Sequence, residues 1–314
     1  MVFFGSGSLG VPCLQELARR GCIDVVVSQP DRPAGRGRVS TPTPISVAAL
    51  ECGLKLIRTD NANQLETRDQ CARAKVIVVI AFGQKLLPEL IADRVAINLH
   101  PSALPKWRGA APIQRAMMAG EQRITACAMA VAERMDAGAI YARHNFELGA
   151  TETAGELHDR IARDSVEMML QTIERARVGA IIGQEQIDAH ATRAMKLSKS
   201  EAYVDFAQPA QLVRCRIHGL APWPGCDAEI SGEPIRLLRV REVSVNSAAL
   251  SAAPSANLPG EILQGGFVAC GVGAIEIMQV QPVGGRAMAW QDFCRGRSIQ
   301  MGQRMTSAPR KEQT

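Results

Sequence analysis

The run Val76-Ile-Val-Val-Ile80 decides the fold, because consecutive apolar residues are typical of a strand that is buried on both faces. A second apolar run follows at Arg94–Leu99, and shorter ones lie at Val2–Phe4 and Ile23–Val27. Apolar residues at helical spacing separate these runs, as in Ile45–Cys52. Strands that alternate with helices predict βαβ units, and therefore an α/β domain with a parallel-rich sheet and helices on both faces.

The pattern changes near residue 183. Residues 183–199 are polar and weakly patterned, which is typical of a linker. A predicted helix at Ala207–His218 is followed by the β-rich stretches Ile235–Val245 and Ala274–Gln281, with turn sequences between them. We therefore predict three parts: an α/β domain over residues 1–183, a linker over 184–205, and a small β-barrel domain over 206–314.

Length and composition agree with two ordinary globular domains. The chain has 314 residues, of which 46% are hydrophobic and 21% charged, so it has enough apolar sequence for a substantial core and little tendency to disorder. The net charge of +5 permits a polyanionic partner without demonstrating one. No window reaches the ~18 apolar residues that a membrane-spanning helix needs. We expect a monomer that does not enter a membrane.

The cysteines indicate the cellular compartment. There are nine of them, an odd number, and no Cys-x-x-Cys spacing occurs. A disulfide framework and a thiolate zinc site are therefore poor fits, and no His, Cys and carboxylate cluster has the spacing of metal ligands. We expect no metal, and buried cysteines in a reducing, cytoplasmic environment.

The loop Gly5-Ser-Gly7-Ser-Leu-Gly10 allows two interpretations. It matches G-x-G-x-x-G between a strand and a helix, as a dinucleotide site requires. However, the acidic residue Asp31 lies in a turn after Pro30, beyond the end of the second strand. We favour the second interpretation, in which the glycines allow a tight turn and close packing of the helix on the sheet.

The end of the Arg94–Leu99 run carries two polar residues with catalytic potential. Asn98 and His100 are two positions apart, so they share one face of the strand, and Pro101 ends it. Ligands of open α/β sheets bind beyond the carboxyl ends of the strands. The pair is thus placed where an active site is expected, although a hydrogen-bonded polar pair at a strand end is the favoured interpretation when the pair is taken alone.

The surrounding motif resembles the folate-dependent formyltransferases. The matching residues are Asn98-x-His100-x-Ser102-x-Leu104-Pro105, then Arg108-Gly109, then Asp136-x-Gly138. Further motifs that are similar to the tRNA-formylating members of this family extend the resemblance over nearly the whole chain: Gln29–Gly37, Trp107–Gln114, Lys196–Lys199, Pro222–Gly225 and Val280–Met288.

The resemblance implies a Rossmann-like catalytic domain, a C-terminal barrel of OB type, and 10-formyltetrahydrofolate as the formyl donor. It implies Asn98, His100 and Asp136 as the catalytic residues. Formyl transfer passes through a tetrahedral oxyanion, which the Asn98 amide can stabilise, while His100 can stabilise it as imidazolium or carry a proton. Without the resemblance, we would interpret Asp136 as an ordinary turn residue before Gly138.

The resemblance also implies two binding regions. The folate region comprises Ser102, Ala103, Leu104 and Pro105 after the catalytic strand, and Phe82, Gly83 and Leu86 after the Val76–Ile80 strand. The acceptor, methionylated initiator tRNA, is expected to contact Arg32, Arg36, Arg38, Lys196 and Lys199. Both regions have a simpler interpretation. The folate region can be two ordinary strand-to-helix loops, and the arginines can belong to a solvated basic loop.

The predicted function is therefore formylation of the α-amino group of methionyl initiator tRNA, in support of translation initiation. Three alternatives remain open at this point. The acceptor is a small amine such as an amino sugar nucleotide or glycinamide ribonucleotide, the protein is a dinucleotide oxidoreductase built on Gly5–Gly10, or it is a non-catalytic tRNA-binding module.

Overall fold

The computed structural model describes residues 1–34, 39–243 and 258–307. Its strands, in chain order, are β1 (Val2–Gly5), β2 (Val25–Ser28), β3 (Arg32–Ala34), β4 (Val39–Thr41), β5 (Leu56–Arg58), β6 (Val76–Ile80), β7 (Val95–His100), β8 (Arg108–Gly109), β9 (Arg123–Ala130), β10 (Ile140–Glu147), β11 (Arg193–Ala194), β12 (Cys226–Ile230), β13 (Glu233–Val243), β14 (Phe267–Ala269), β15 (Ala274–Pro282), β16 (Met288–Ala289) and β17 (Met305–Ser307).

The helices include several that begin with proline in their first turn, where a missing N–H costs nothing. In chain order they are α1 (Val11–Arg19), α2 (Pro44–Glu51), α3 (Leu65–Cys71), α4 (Pro88–Ile91), α5 (Pro112–Met118), α6 (Ala154–Asp164), α7 (Val166–Arg177), α8 (Ala210–Leu220) and α9 (Trp290–Arg297). Within the described ranges, no helix combines the length and the apolar character that crossing a membrane requires.

Two compact units are interleaved along the chain. Among the described residues, the first contains 1–34, 39–109, 124–146 and 158–193, and the second contains 110–123, 147–157, 194–243 and 258–307. Helix α5 therefore belongs to the second unit although it lies in the first half of the sequence. It packs on α8, where Gly219 allows the close approach because a Cβ there would lie 2.7 Å from the Met118 side chain.

The first unit is built on a mixed, mainly parallel sheet in the order β10-β9-β7-β6-β1-β2-β5. Strands β5, β2, β1, β6 and β7 run parallel, and β9 pairs antiparallel with β7. Strands β1, β2 and β6 are buried along their whole length, which is why they read as unbroken apolar runs. The α/β prediction is confirmed, and β1, β6 and β7 all end at the same edge of the sheet.

The glycine loop after β1 packs against the end of β6. The backbone N–H groups of Ser6 and Gly7 both donate to the carbonyl of Ala81, at 3.2 and 3.0 Å. A Cβ at Gly7 would lie 2.9 Å from the Ala81 Cβ. These two N–H groups are thus used in hydrogen bonds within the protein, which supports the tight-turn interpretation over a dinucleotide site.

The second unit contains an antiparallel sheet in the order β14-β15-β13-β12-β17, with β16 paired to β15. The register between β13 and β15 shifts at Leu237–Arg239, a bulge of the kind that bends a strand. Side chains of α8 and α9, among them Ile217 and Phe293, cover the apolar face of this sheet. The predicted small β-rich C-terminal domain of OB-like type is confirmed.

The turn between β9 and β10 carries Asp136 and depends on one glycine. A Cβ at Gly138 would lie 2.0 Å from the carbonyl oxygen of Ala130, so a larger residue cannot fit without moving the backbone. Next to it, the Ala130 N–H donates to the Ala139 carbonyl at 2.8 Å. Gly138 is thus required for the turn to fold back onto β9.

We expect Gly138→Ala to lower the free energy of unfolding by about 1–3 kcal/mol, because the added methyl group overpacks the turn. Urea denaturation measures the change. Gly296→Ala is the control: it lies in α9 with nothing within 4 Å of the added Cβ, and it should raise the free energy of unfolding by about 0.5–1 kcal/mol. Equal stability of Gly138→Ala and wild type would contradict this account of the turn.

Candidate active site

His100 is the last residue of β7, and its ring is nearly buried between two acceptors. Its Nε2 lies 3.0 Å from the carbonyl oxygen of Trp107, and its Nδ1 lies 3.6 Å from Oδ1 of Asp136. Each ring nitrogen of His100 thus faces an oxygen acceptor, one from a backbone carbonyl and one from a carboxylate.

Asn98 lies two residues earlier on the same face of β7. It is half-buried, and its backbone is fixed in register between Val79 of β6 and Met129 of β9. The structure thus places Asn98 and His100 on one face of a strand that is paired on both sides. Of the three predicted catalytic residues, His100 and Asp136 lie within ion-pair distance and Asn98 shares the strand face with His100.

Asp136 reaches His100 from the β9–β10 turn with a left-handed backbone (φ 54°), a conformation that Asp and Asn adopt more readily than most residues. Its Oδ2 accepts a 2.9 Å hydrogen bond from the backbone N–H of Gly109. Gly109 itself has φ 130°, which favours glycine. The Arg108-Gly109 part of the motif therefore supplies a backbone donor that orients the carboxylate.

Residues 184–190 also contact the turn that carries Asp136. Gln186 hydrogen-bonds to the carbonyls of Asp136 and Gly138, and it accepts hydrogen bonds from Arg108. Asp188 pairs with Arg108 and Arg134, and these hydrogen bonds, first that of Arg134, lower the pKa of the Asp188 carboxyl. Sequence reasoning interpreted this stretch as part of a linker, because a polar segment without periodicity gives no signal of such contacts.

The expected folate loop after β7 is shaped by internal hydrogen bonds. Ser102 is buried, and its hydroxyl donates to the carbonyl of Lys106 at 2.7 Å. Leu104 is buried with Cys127, Met129 and Ile140, while Ala103 and Pro105 are partly exposed. The Ser102 and Leu104 side chains thus hold the loop, and their backbone N–H groups also bond within it, so Ala103 and Pro105 are its partly exposed side chains.

The loop after β6 has a similar division of roles. Phe82 packs edge-on against Phe4 with ring centroids 5.3 Å apart, and Leu86 is buried in the same cluster. Gly83 is exposed with φ 80°, and a Cβ there would lie 2.6 Å from the Gln29 amide, which donates to the Phe82 carbonyl. Phe82 and Leu86 are core residues and the Phe82 carbonyl accepts from Ser6 and Gln29, so Gly83 is the exposed residue among the three expected here.

The residues expected to contact tRNA are exposed where the structure describes them. Arg32 lies in β3, which pairs with β4 as an antiparallel hairpin. Arg36 and Arg38 lie outside the described residues. Lys196 and Lys199 are exposed in the second unit.

All nine cysteines are described and each is a free thiol. Burial raises the pKa of Cys13, Cys226 and Cys270 to about 12, so these thiols stay protonated and are weak nucleophiles and metal ligands. In the described portion of the chain, no three His, Cys, Asp or Glu side chains are grouped to hold a metal ion.

Comparisons with known proteins agree with this architecture. The formyl transferase family matches residues 1–173, and the formyl transferase C-terminal domain matches residues 196–298. A methionyl-tRNA formyltransferase from Cereibacter sphaeroides is 36% identical over 313 residues, which is 98% of this chain and 99% of the relative.

Solved structures share the fold at low sequence identity. HypX from Aquifex aeolicus in complex with tetrahydrofolic acid has a TM-score of 0.61 at 16% identity. The match covers 93% of this chain and 46% of HypX, so this chain spans about half the length of HypX. A methionyl-tRNA formyltransferase from Clostridium thermocellum has a TM-score of 0.54 at 14% identity and covers 78% of this chain and 94% of that one. With a family match over more than half of its length and a full-length relative at 36% identity, the chain belongs to the formyl transferase family.

Proposed function

We propose that this protein transfers the formyl group of 10-formyltetrahydrofolate to the α-amino group of methionine carried by initiator tRNA. The observation that carries the proposal is the position of His100 at the end of β7, held between the Asp136 carboxylate and the Trp107 carbonyl. A full-length relative named methionyl-tRNA formyltransferase supports the choice of acceptor. That relative supports methionyl-tRNA over the alternative acceptors, which are an amino sugar nucleotide and glycinamide ribonucleotide.

The reaction needs two kinds of group from the protein. The amine attacks the formyl carbon, forming a new C–N bond and turning the carbonyl oxygen into an oxyanion. The bond from that carbon to N10 of the folate then breaks, and the proton lost by the amine ends on N10. A donor must meet the oxyanion, and a titratable group must carry the proton.

We assign the oxyanion donor to Asn98 and the proton carrier to His100. Asn98 has an amide N–H on a rigid strand, and fixed donors of this kind need no reorganisation during the reaction. His100 faces oxygen acceptors at both ring nitrogens, so its ring is held at the strand end where the proton must be carried. Asp136 orients the ring through Nδ1.

The folate is expected to lie along the two loops after β6 and β7, because parallel strands end there at one edge. Backbone groups of residues 102–105 and 82–86, with Gly83, Ala103 and Pro105, would contact it. For the tRNA we propose Arg32, Arg36, Arg38, Lys196 and Lys199 as phosphate contacts, since each is a cation suited to backbone phosphates. A cytoplasmic monomer remains our expectation.

Replacing the catalytic residues should remove activity and preserve the fold. We expect Asn98→Ala to lower kcat by about 10²–10³-fold through loss of an oxyanion donor. His100→Ala should lower kcat by about 10²–10⁴-fold through loss of acid–base catalysis. Asp136→Asn, which keeps a residue tolerant of the left-handed backbone, should also lower kcat. Steady-state formylation kinetics and thermal denaturation measure both properties.

His158→Ala is the matched control for the histidine. His158 pairs with its neighbour Asp159 at 2.9 Å on α6, and its removal should leave kcat unchanged. Near-wild-type turnover of any one of the three catalytic variants would remove that residue from its assigned role.

The loop that contains Arg32, Arg36 and Arg38 should contribute to tRNA binding and should not contribute to folate binding. We expect Arg36→Ala to raise the KM for methionyl-tRNA and to reduce its dependence on salt, because each lost phosphate contact lowers the number of released counterions. Binding of tetrahydrofolate, measured by fluorescence titration, should not change. An equal loss of folate binding would place Arg36 at the other substrate.

The direct test of the function is incubation with 10-formyltetrahydrofolate and methionylated tRNA. Mass spectrometry of the esterified amino acid should detect formylmethionine on initiator tRNA, with much less on methionylated elongator tRNA as the control. Absence of formylmethionine above background would defeat the proposal.

A further inference from the structure

Gln186 holds the turn that carries Asp136 through both hydrogens of its side-chain amide. Its Nε2 donates to the carbonyl oxygen of Asp136 at 2.9 Å and to that of Gly138 at 2.7 Å. These two carbonyls lie on either side of Ala137. A single side chain thus fixes the backbone on both sides of the turn that presents the carboxylate to His100.

The orientation of this amide is set by Arg108. The Gln186 Oε1 accepts from Nε of Arg108 at 3.1 Å and from Nη2 at 2.8 Å. A guanidinium has donors alone and backbone carbonyls are acceptors alone, so a flipped amide would lose every one of these bonds. Arg108 therefore directs the two N–H groups of Gln186 toward the turn.

Arg108 is itself held by the same region. Its Nη1 donates to Asp188 at 2.9 Å, and Asp188 also pairs with Arg134, which lies two residues before Asp136. The contacts form a closed path from Asp136 through Gln186, Arg108 and Asp188 to Arg134. This path anchors the turn at both of its sides.

The need for such an anchor follows from the backbone of Asp136. Its φ of 54° is unfavourable for a residue with a side chain, and such conformations persist when surrounding contacts over-determine them. The carboxylate must also lie where Oδ1 faces His100 and Oδ2 meets the Gly109 N–H. A relaxed turn would withdraw both oxygens from these partners.

We propose that Gln186 is a positioning residue for catalysis, which acts by holding the Asp136 carboxylate against His100. The proposal rests on the proposed function, in which Asp136 orients the catalytic imidazole. Gln186 bonds to the backbone of the Asp136 turn and to Arg108, and it is assigned no contact with the formyl group or the amine.

Gln186→Glu is the sharpest variant, because it keeps the shape and the acceptor for Arg108 but removes both donors. It also sets a carboxylate oxygen against two carbonyls. We expect kcat to fall by about 10–100-fold, the range that small misplacements of catalytic groups produce, with the KM for folate and for tRNA unchanged. Gln186→Met, similar in length and without donors, should show the same loss.

Gln184→Ala is the matched control. Gln184 lies in the same segment, but its side chain accepts a 2.8 Å hydrogen bond from Arg143 and does not bond to the Asp136 turn. Its kcat should equal that of the wild type.

Hydrogen exchange at the Gly109 amide gives a readout that does not depend on activity. This N–H donates to Oδ2 of Asp136, so its exchange rate reports the position of the carboxylate. We expect faster exchange in Gln186→Glu and Gln186→Met, with the wild-type rate in Gln184→Ala.

Wild-type kcat in both Gln186 variants would overturn the proposal, as would a loss of kcat with an unchanged Gly109 exchange rate. If the wild type itself formylates no tRNA, the proposed function fails, and the exchange rates still decide whether Gln186 positions Asp136. Thermal denaturation identifies a variant that fails to fold, in which case the other Gln186 variant decides.

Discussion

The contact between the His100 ring and the Asp136 carboxylate is the interaction on which the site depends. Its two partners come from different elements, the end of β7 and the β9–β10 turn, and they meet at 3.6 Å. The pair forms because β9 lies antiparallel beside β7, which brings Cys127 opposite His100. The turn after β9 then returns to the carboxyl edge of the parallel strands. The order of the strands thus brings the two elements together, and the loops set the orientation of the side chains.

Local periodicity was sufficient to predict the sheet and one side of the site. The apolar runs of β6 and β7 identify strands buried on both faces, and alternation places Asn98 and His100 on the same face. Asp136 was different, because a turn residue before a glycine is common. Its role was predicted from the family motif, and the structure supplies the contact with His100 that makes the role chemically sensible.

Other features depend on tertiary contacts that sequence patterns do not encode. Helix α5 has an apolar face, but the pattern does not say that this face packs on α8 of the second unit. Gln186 lies in a polar stretch without periodicity, and its role depends on two carbonyls and a guanidinium from distant positions. The G-x-G-x-x-G loop shows the reverse case, because its N–H groups serve Ala81 although the sequence matches a dinucleotide motif.

A crystal structure with a stable formyl-tetrahydrofolate analogue would show directly whether formyl transfer occurs at the end of β7. We expect the formyl oxygen to lie about 3 Å from the Asn98 amide nitrogen, with the reacting carbon beside the His100 ring. We also expect the pterin to contact the loops of residues 82–86 and 102–105. A folate bound at another part of the molecule, away from Asn98 and His100, would contradict catalysis at this strand end.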